Sequence, residues 1–365
     1  METAVFLIIY LILLAFIVGI GDTKHALKAL RKSTETISLE KISVLIPFRN
    51  EAESLPNIIK SIQCSKKIPS EIIFINDHSE DQSIEILQQC MSEIPLIILT
   101  LPEFKFGKKE ALRFGIQHAK GDYYLTLDAD VFFGPTYFTE LEKLPDAHLW
   151  ILPAILVGRS KREVWQEIDL HIMNAINVGL YGLFRPVIAS GANLLFSKNA
   201  FLAADDYVSH QHISSGDDLF LLRDFRNHGK DIRLISDPLL AVYTYAPQGV
   251  LAFLHQRVRW ISKTGKVKDY FATSLGIFQT VLSIVFYSLL GIYLYIDQYS
   301  EMLFLFCAKT GLDLIFYARY FLRFRRFKSW LLIPLYEVFF PLYNVILLTL
   351  VLLFRPIWKG RNVNL

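Results

Sequence analysis

An α/β domain built on a mainly parallel sheet and flanked by membrane-crossing helices is the fold class this sequence predicts, and three observations predict it. Short apolar runs alternate with helical segments from Lys41 onward, the pattern of βαβ units. Apolar stretches with few or no charges lie at both ends of the chain, long enough to cross a hydrocarbon core of about 30 Å, which takes roughly 20 helical residues. Polar residues follow directly after several of the apolar runs, and in open α/β sheets ligands bind beyond the carboxyl ends of the strands.

The 365 residues suit about two domains. A hydrophobic content of 53% and a mean hydropathy of +0.35 are high for a soluble protein. Residues 4–21 form the first apolar run; no basic residue precedes it and no small-x-small cleavage site is evident, so a retained anchor is expected. Residues 42–46 read as a strand stopped by Pro47, and 51–64 as a helix with a stripe of Leu55, Ile58, Ile59 and Ile62. A strand over 72–75 leads through polar residues to a helix carrying Ile84, Ile86 and Leu87. Strands over 96–101 and 123–127 bracket a helix over 108–118. Residues 161–178 contain a further helix, and Ser190-Gly191-Ala192-Asn193 is a small-residue loop suited to close approach by a ligand.

Val250, Leu251, Phe253, Leu254, Val258, Trp260 and Ile261 make an amphipathic segment that places Arg257, Arg259, Lys263 and Lys266 for lipid headgroups. Residues 271–296 carry no charge. In 302–322, Lys309 and Asp313 are four apart and share one helix face, while Arg319 reaches toward the nearby end. Residues 331–354 contain Glu337, Pro334 and Pro341 and read as a kinked span or a re-entrant segment. The expected organisation is an anchor at 1–22, the α/β domain at 23–249, an interfacial segment at 250–270 and a membrane region at 271–365. Basic flanks at 24–32, 263–268 and 323–328 place these flanks and the polar middle in the cytoplasm. The basic tail 355–361 would lie outside after four spans, which favours the re-entrant reading.

A formal net charge of +3, with its basic clusters beside membrane segments, points to anionic lipid and gives no indication of nucleic-acid binding. Cys64, Cys90 and Cys307 lack metal-ligand spacing and read as space-filling thiols in a reducing compartment. The nine histidines form no H-x-x-x-H pair on a credible zinc helix, and Asp205-Asp206 reads as a solvated loop.

Asp128-Ala129-Asp130, at the exit of the 123–127 strand, is the most informative chemistry in the chain. Mg²⁺ and Mn²⁺ prefer hard oxygen ligands and fill the remaining positions with water and phosphate oxygens, which suits a nucleoside diphosphate. The triplet alone also fits a solvated turn. Pro47-Phe48-Arg49-Asn50-Glu51 and Asn76-Asp77-His78-Ser79-Glu80-Asp81 bring polar groups to the same edge from two more strands. Asn50, Ser79 and Asp81 also suit helix caps, and Glu51 a first-turn acid.

These residues carry a resemblance to a known family. Ser43-Val44-Leu45-Ile46-Pro47-Phe48-Arg49-Asn50-Glu51 resembles the opening strand and loop of family 2 glycosyltransferases, inverting enzymes of GT-A fold, in which a nucleotide-diphospho-sugar transferase domain has a Rossmann-like mixed sheet. The segment 76–81 resembles their D-D-x-S-x-D motif, with Asn76 in place of the first acid and His78 in place of the common glycine. Gly107-Lys108-Lys109-Glu110-Ala111-Leu112 resembles the G-K-x-x-A-L segment, Asp128-Ala129-Asp130 the D-x-D, and Gly216-Asp217-Asp218 the G-D-D motif. Gln256-Arg257-Val258-Arg259-Trp260 matches the Q-x-x-R-W motif of the membrane-bound branch, shared by processive polysaccharide synthases and ceramide glucosyltransferase-like enzymes.

The resemblance implies that Pro47, Arg49, Asn50, Glu51 and Asp77 hold the uridine of a nucleotide-sugar donor, with Lys108 nearby. It implies that Asp130 ligates Mn²⁺ or Mg²⁺ and that Asp128 contacts the donor ribose or sugar. Asp218 is then the general base and Asp217 its acidic neighbour, while Gln256, Arg259 and Trp260 lie at the donor, the indole near the acceptor. Displacing a nucleoside diphosphate needs charge stabilised on the leaving group, and the attacking hydroxyl must lose its proton to a nearby carboxylate. One base and direct attack imply inversion, because double displacement needs a second, nucleophilic carboxylate.

The expected protein is an integral membrane glycosyltransferase of a bacterial inner (cytoplasmic) membrane, its catalytic domain facing the cytoplasm. Its expected acceptor is a lipid, because three or four spans are few to enclose a polymer pore. A processive synthase acting with a partner or as a homo-oligomer is the alternative. A catalytically silent nucleotide-sugar-binding scaffold and a nucleotide-sugar hydrolase are further readings.

Overall fold

The computed structural model describes residues 2–29, 37–211, 213, 216–353, 357–358 and 361–362. The chain divides into two compact units, one of Arg31–Val157, Ile188–Tyr245 and Arg355–Leu365, the other of Met1–Leu30, Gly158–Val187 and Ala246–Phe354. In chain order, α1 (Glu2–Leu14), a π-helical stretch (Ala15–Ile20) and α2 (Gly21–Ala29) come first. They are followed by β1 (Ile42–Phe48), α3 (Leu55–Gln63), β2 (Glu71–Asn76), α4 (Ser83–Cys90), β3 (Leu96–Thr100) and α5 (Lys108–His118). Next are β4 (Tyr123–Leu127), β5 (Val131–Phe133), α6 (Tyr137–Leu141), β6 (Leu149–Ile151), β7 (Ala154–Val157) and α7 (Lys161–Leu183). β8 (Asn193–Ser197), α8 (Lys198–Ala204), α9 (Tyr207–His210), α10 (Asp217–Asn227), β9 (Ile232–Leu234) and β10 (Val242–Tyr245) complete the sheet region. The last helices are α11 (Val250–Val267), α12 (Tyr270–Tyr295), α13 (Tyr299–Arg323), α14 (Phe327–Leu331) and α15 (Ile333–Leu353).

The sheet unit is a seven-stranded sheet in the order β3-β2-β1-β4-β8-β6-β9, with a three-stranded sheet β5-β10-β7. β3, β2, β1 and β4 run parallel, as the βαβ pattern predicts, whereas β8 is antiparallel to both β4 and β6, so the sheet is mixed. Every residue of β1 and β2 is buried, which explains why they read as continuous apolar runs rather than alternating ones. α3 buries the expected Leu55, Ile58, Ile59 and Ile62. Trp150, Tyr124, Tyr137, Phe74 and Phe138 are fully buried in this unit, each stabilising the fold by roughly 1.5–3 kcal/mol or more.

Pro47 does not stop β1. The strand continues to Phe48, with Pro47 opposite Ile75, because the pairing to β4 ends at Leu45 opposite Thr126. A missing N–H is tolerated where one flank of a strand is already unpaired. The register aligns Phe48 with Asn76, so the segments after β1 and β2 leave the sheet at one edge, and Asp128 follows β4 at that edge too.

The second unit is helical and includes α7, so the expected continuous 23–249 domain is interrupted. The reason is small-residue packing: a side chain on Gly179 would strike the backbone of Ile17, and one on Gly182 that of Gly21. Backbones approach this closely only where side chains are absent. Among the described residues, three helical stretches, Glu2–Lys28, Tyr270–Tyr295 and Ile333–Leu353, are long and apolar enough to cross a membrane. α13 is not among them, because it carries Lys309, Asp313, Arg319 and Arg323. Lys309 pairs with Asp313 at 2.8 Å, as the four-residue spacing predicts, and also with Glu337 of α15 at 2.6 Å. Arg319 reaches Asp22 at 2.8 Å instead of extending toward headgroups. α15 runs unbroken through Pro341 for 21 residues, about 30 Å at 1.5 Å per residue, which replaces the re-entrant expectation with a helix of spanning length. The side chains of the tail 355–361 lie outside the described residues. Cys64 and Cys307 are exposed rather than space-filling.

Candidate active site

At the sheet edge the loops after β1 and β2 are stitched together by polar groups. The Arg49 guanidinium, 7% exposed, donates to the carbonyls of Asp77 at 2.8 Å and His78 at 2.6 Å and pairs with Glu80 at 3.1 Å. Ser79 Oγ accepts from the Asn50 N–H, Ser83 Oγ from that of Glu51, and Asp81 from that of Ala52. Burial opposes ionisation of Asp81, but hydrogen bonds from Ser83 and Ala52 hold its carboxyl below the ordinary range. Asn50 and His78 have left-handed backbones, at φ 49° and 55°. Both residue types adopt that conformation more readily than most.

Asp77 Oδ2 accepts from the Gly107 N–H at 2.9 Å and so fixes the entry to α5. Gly107 has φ 97°, a conformation that favours glycine. The next residue, Lys108, turns its ammonium to Asp128 Oδ1 at 2.5 Å and to Asp217 Oδ2 at 4.0 Å. Burial works against that charge, but Asp128 and then Asp217 raise the ammonium above its ordinary value and keep it protonated.

Asp217 and Asp218 open α10 after Gly216, whose φ is 90°. The small-residue loop meets them: Gly191 N–H donates to Asp218 Oδ2 at 3.2 Å. A Cβ on Gly191 would lie 3.0 Å from Asp217 Oδ2 and 3.1 Å from Lys108 Nζ. Asn193 is different. It is fully buried and structural, accepting from Tyr137 OH and donating to the carbonyls of Pro153 and Leu240. Thr244 of β10 donates to Asp130 Oδ2 at 3.1 Å, a contact with no local sequence signal across 114 residues.

Asp130 is pushed up to about 6 by burial and then by Asp128 and Glu51. A carboxyl raised in this way offers a hard oxygen ligand of the kind Mn²⁺ and Mg²⁺ prefer. Asp205, His210 and Asp224 also converge, their ligand atoms within 4.8 Å of one another. They do not fit a cation, because Arg113 and Arg223 already pair with the two carboxylates and Lys109 occupies the Nδ1 lone pair of His210. Asp205 is thus an ion-pair partner of α5 and not a solvated loop residue.

This edge, with D-x-D, G-K and G-D-D residues gathered around Lys108, is matched by two families: glycosyl transferase family 2 over residues 43–183 and glycosyl transferase family group 2 over residues 124–355. The chain belongs to glycosyl transferase family group 2. Among curated proteins, this chain is 27% identical over 276 residues to a poly-beta-1,6-N-acetyl-D-glucosamine synthase of Staphylococcus aureus. That alignment takes in 70% of this chain and 65% of the synthase, just under two thirds of the relative's length. It is 40% identical over 97 residues to an undecaprenyl-phosphate 4-deoxy-4-formamido-L-arabinose transferase of Pectobacterium atrosepticum, covering 26% of this chain and 30% of the relative. A mannosyltransferase from Pyrobaculum calidifontis, solved in complex with GDP-Man and Mn²⁺, aligns with a TM-score of 0.51 at 15% identity. The alignment covers 91% of this chain and 99% of the mannosyltransferase, and carries the fold, which is GT-A.

Gln256, Arg259 and Trp260 lie on α11, in the helical unit. The intervening Arg257 is 2% exposed and so does not serve headgroups. Its guanidinium donates to the Gln166 carbonyl at 3.0 Å, pairs with Asp169 at 3.3 Å and lies 4.6 Å from the Trp260 ring centroid. Tyr336 and Tyr343 of α15 donate to the same Asp169. Lys263 is buried too, since α11 packs within its own unit instead of facing lipid along its whole basic side.

Proposed function

We propose that the protein is a membrane-bound, metal-dependent, inverting glycosyltransferase that moves a sugar from a UDP-linked donor to a lipid acceptor at the cytoplasmic membrane face. The observation that supports it is the gathering of Asp128, Asp217 and Asp218 around one half-buried ammonium, Lys108, beside Asp130, whose carboxyl is raised by burial and by its acidic neighbours. Opposite charges held close in a site of low polarity act on developing charge far more strongly than in water.

In this reading the acceptor oxygen bonds to the anomeric carbon as the bond to the diphosphate breaks, and Asp218 takes the hydroxyl proton. The Gly191 N–H on Asp218 Oδ2 fixes that carboxylate's orientation. Lys108 adds positive charge at the diphosphate. Asp130 would hold Mn²⁺ or Mg²⁺ with Asp128 close by, and the ion when bound supplies Lewis-acid stabilisation of the leaving group. Pro47 is buried in β1 and Arg49 is committed to the β2 loop, so in this reading they shape the uridine pocket, while Asn50, Glu51 and Asp77 line it. Gln256, Arg259 and Trp260 are assigned to donor binding in the same reading. Residues 1–22 and 271–365 anchor the enzyme, 23–249 supply the catalytic residues, and 250–270 lie at the interface.

A second reading is a polysaccharide synthase, favoured by the 276-residue likeness to an N-acetylglucosamine polymer synthase. Membranes containing the protein, incubated with radiolabelled nucleotide sugars and Mn²⁺ or Mg²⁺, separate the two. Label in organic-soluble lipid supports the first reading and label in high-mass polymer the second. Transfer unaffected by Asp218→Asn, or absent with every donor, would overturn both.

A further inference from the structure

We propose that Lys109 and His210 are positioning residues for sugar transfer, with Lys109 of α5 holding His210 and Ile213 ahead of Asp217 and Asp218; this rests on the reading of Asp218 as the base. Lys109 Nζ lies 2.5 Å from His210 Nδ1, 2.6 Å from the His210 carbonyl and 3.3 Å from the Ile213 carbonyl. An ammonium has three N–H donors and no acceptor, so this tripod uses all of them and requires a lone pair on Nδ1. The imidazole proton is then on Nε2, which donates to Asp224 Oδ2 at 3.1 Å. The chain Lys109–His210–Asp224 thereby joins α5, the end of α9 and the third turn of α10.

Two more residues of α5 grip the same segment. Arg113 pairs with Asp205 at 2.5 Å, and Glu110 accepts from Tyr207 OH. Neighbouring lysines therefore divide the work: Lys108 faces Asp128 and Asp217, and Lys109 faces His210. A cavity of about 60 Å³ is lined by Lys109, His210 and Asp224, and also by Asp217 and Asp218. The tether and the acid pair thus share one space, and a lost tether leaves room into which the first turn of α10 can move. Displacements near 1 Å reduce rates by about a hundredfold when the reacting groups must be aligned.

The test compares the full-length protein with His210→Ala, His210→Gln and Lys109→Met. Glutamine can accept from Lys109 through Oε1 and donate to Asp224 through Nε2. His210→Ala is expected to speed amide exchange across 216–222 and to lower kcat by about tenfold or more, with donor KM and UDP affinity changed by less than about twofold. Lys109→Met is expected to do the same, and His210→Gln to recover kcat to within about threefold of the parent. Unchanged exchange in both His210→Ala and Lys109→Met overturns the tether whether or not transfer is detected. A kcat loss matched by a rise in KM, or not recovered by glutamine, overturns the positioning role. Absence of transfer by the parent protein would instead count against the proposed function, with the exchange comparison still deciding the tether. If His210→Ala loses UDP binding through misfolding, Lys109→Met and His210→Gln decide by the same criteria.

Discussion

Lys108 Nζ stands 2.5 Å from Asp128 Oδ1, so the first residue of α5 neutralises the first acid of the D-x-D triplet twenty residues later. Removing the ammonium leaves Asp128 and Asp217 without their shared cation. Lys108→Met is expected to lower kcat/KM by roughly 10- to 100-fold, the equivalent of losing a charged hydrogen bond of about 1.5–3 kcal/mol. Steady-state transfer kinetics check it. A variant with unchanged kcat/KM would remove Lys108 from the donor site.

Burial and then the charges of Asp128 and Glu51 raise the Asp130 carboxyl, which is the oxygen ligand proposed here for a hard cation. Chelation with EDTA is expected to abolish transfer, and Mn²⁺ or Mg²⁺ to restore it. Asp130→Asn is expected to raise the metal concentration needed for half-maximal rate by about tenfold or more. Full activity in EDTA would sink the metal assignment.

Gly191 has Asp217 Oδ2 and Lys108 Nζ within 3.0–3.1 Å of where a Cβ would sit. Both neighbours are ends of flexible side chains, so the fold can yield while the site cannot. Gly191→Ala is expected to leave thermal stability within about 1 kcal/mol and to reduce kcat by roughly tenfold. Melting and kinetics on one preparation separate the two effects.

Buried Arg257 pairs with half-buried Asp169 within the helical unit. Asp169→Asn or Arg257→Met alone leaves the other charge uncompensated, with an expected loss of about 3–5 kcal/mol, read as a lower melting temperature in detergent. The double variant is expected to lose less than the sum, because the stranded charge is gone. Additive losses would mean the pair is not coupled.

Burial pushes the Lys109 ammonium down to about 8 from its ordinary 10.5, against the pull of Asp217 and with the help of Arg113. Between those values the unfolded chain binds a proton that the folded protein lacks, so stability rises with pH there and falls back as pH drops toward 8. Lys109→Met is expected to flatten this rise, measured as the difference in melting temperature between about pH 7.5 and pH 9.5. The same slope in both proteins would remove Lys109 as its origin.

The sequence by itself determined the features that arise from neighbours in the chain. Continuous apolar runs specify β1, β2 and β4, the 3.6-residue stripe specifies α3, and the acids after β4 lie at the sheet edge because a strand must end there. The Lys309–Asp313 pair was legible for the same reason, as four residues make about one helical turn. Charge alone, however, could not say that Arg257 and Lys263 turn inward on α11, since an amphipathic pattern does not reveal which neighbours cover it. Only the tertiary structure brought Thr244 to Asp130, Gly191 to Asp218 and His210 to Lys109, partners 114, 27 and 101 residues apart. Such contacts depend on strand order and on the antiparallel placement of β8, which long-range packing decides and local periodicity does not encode.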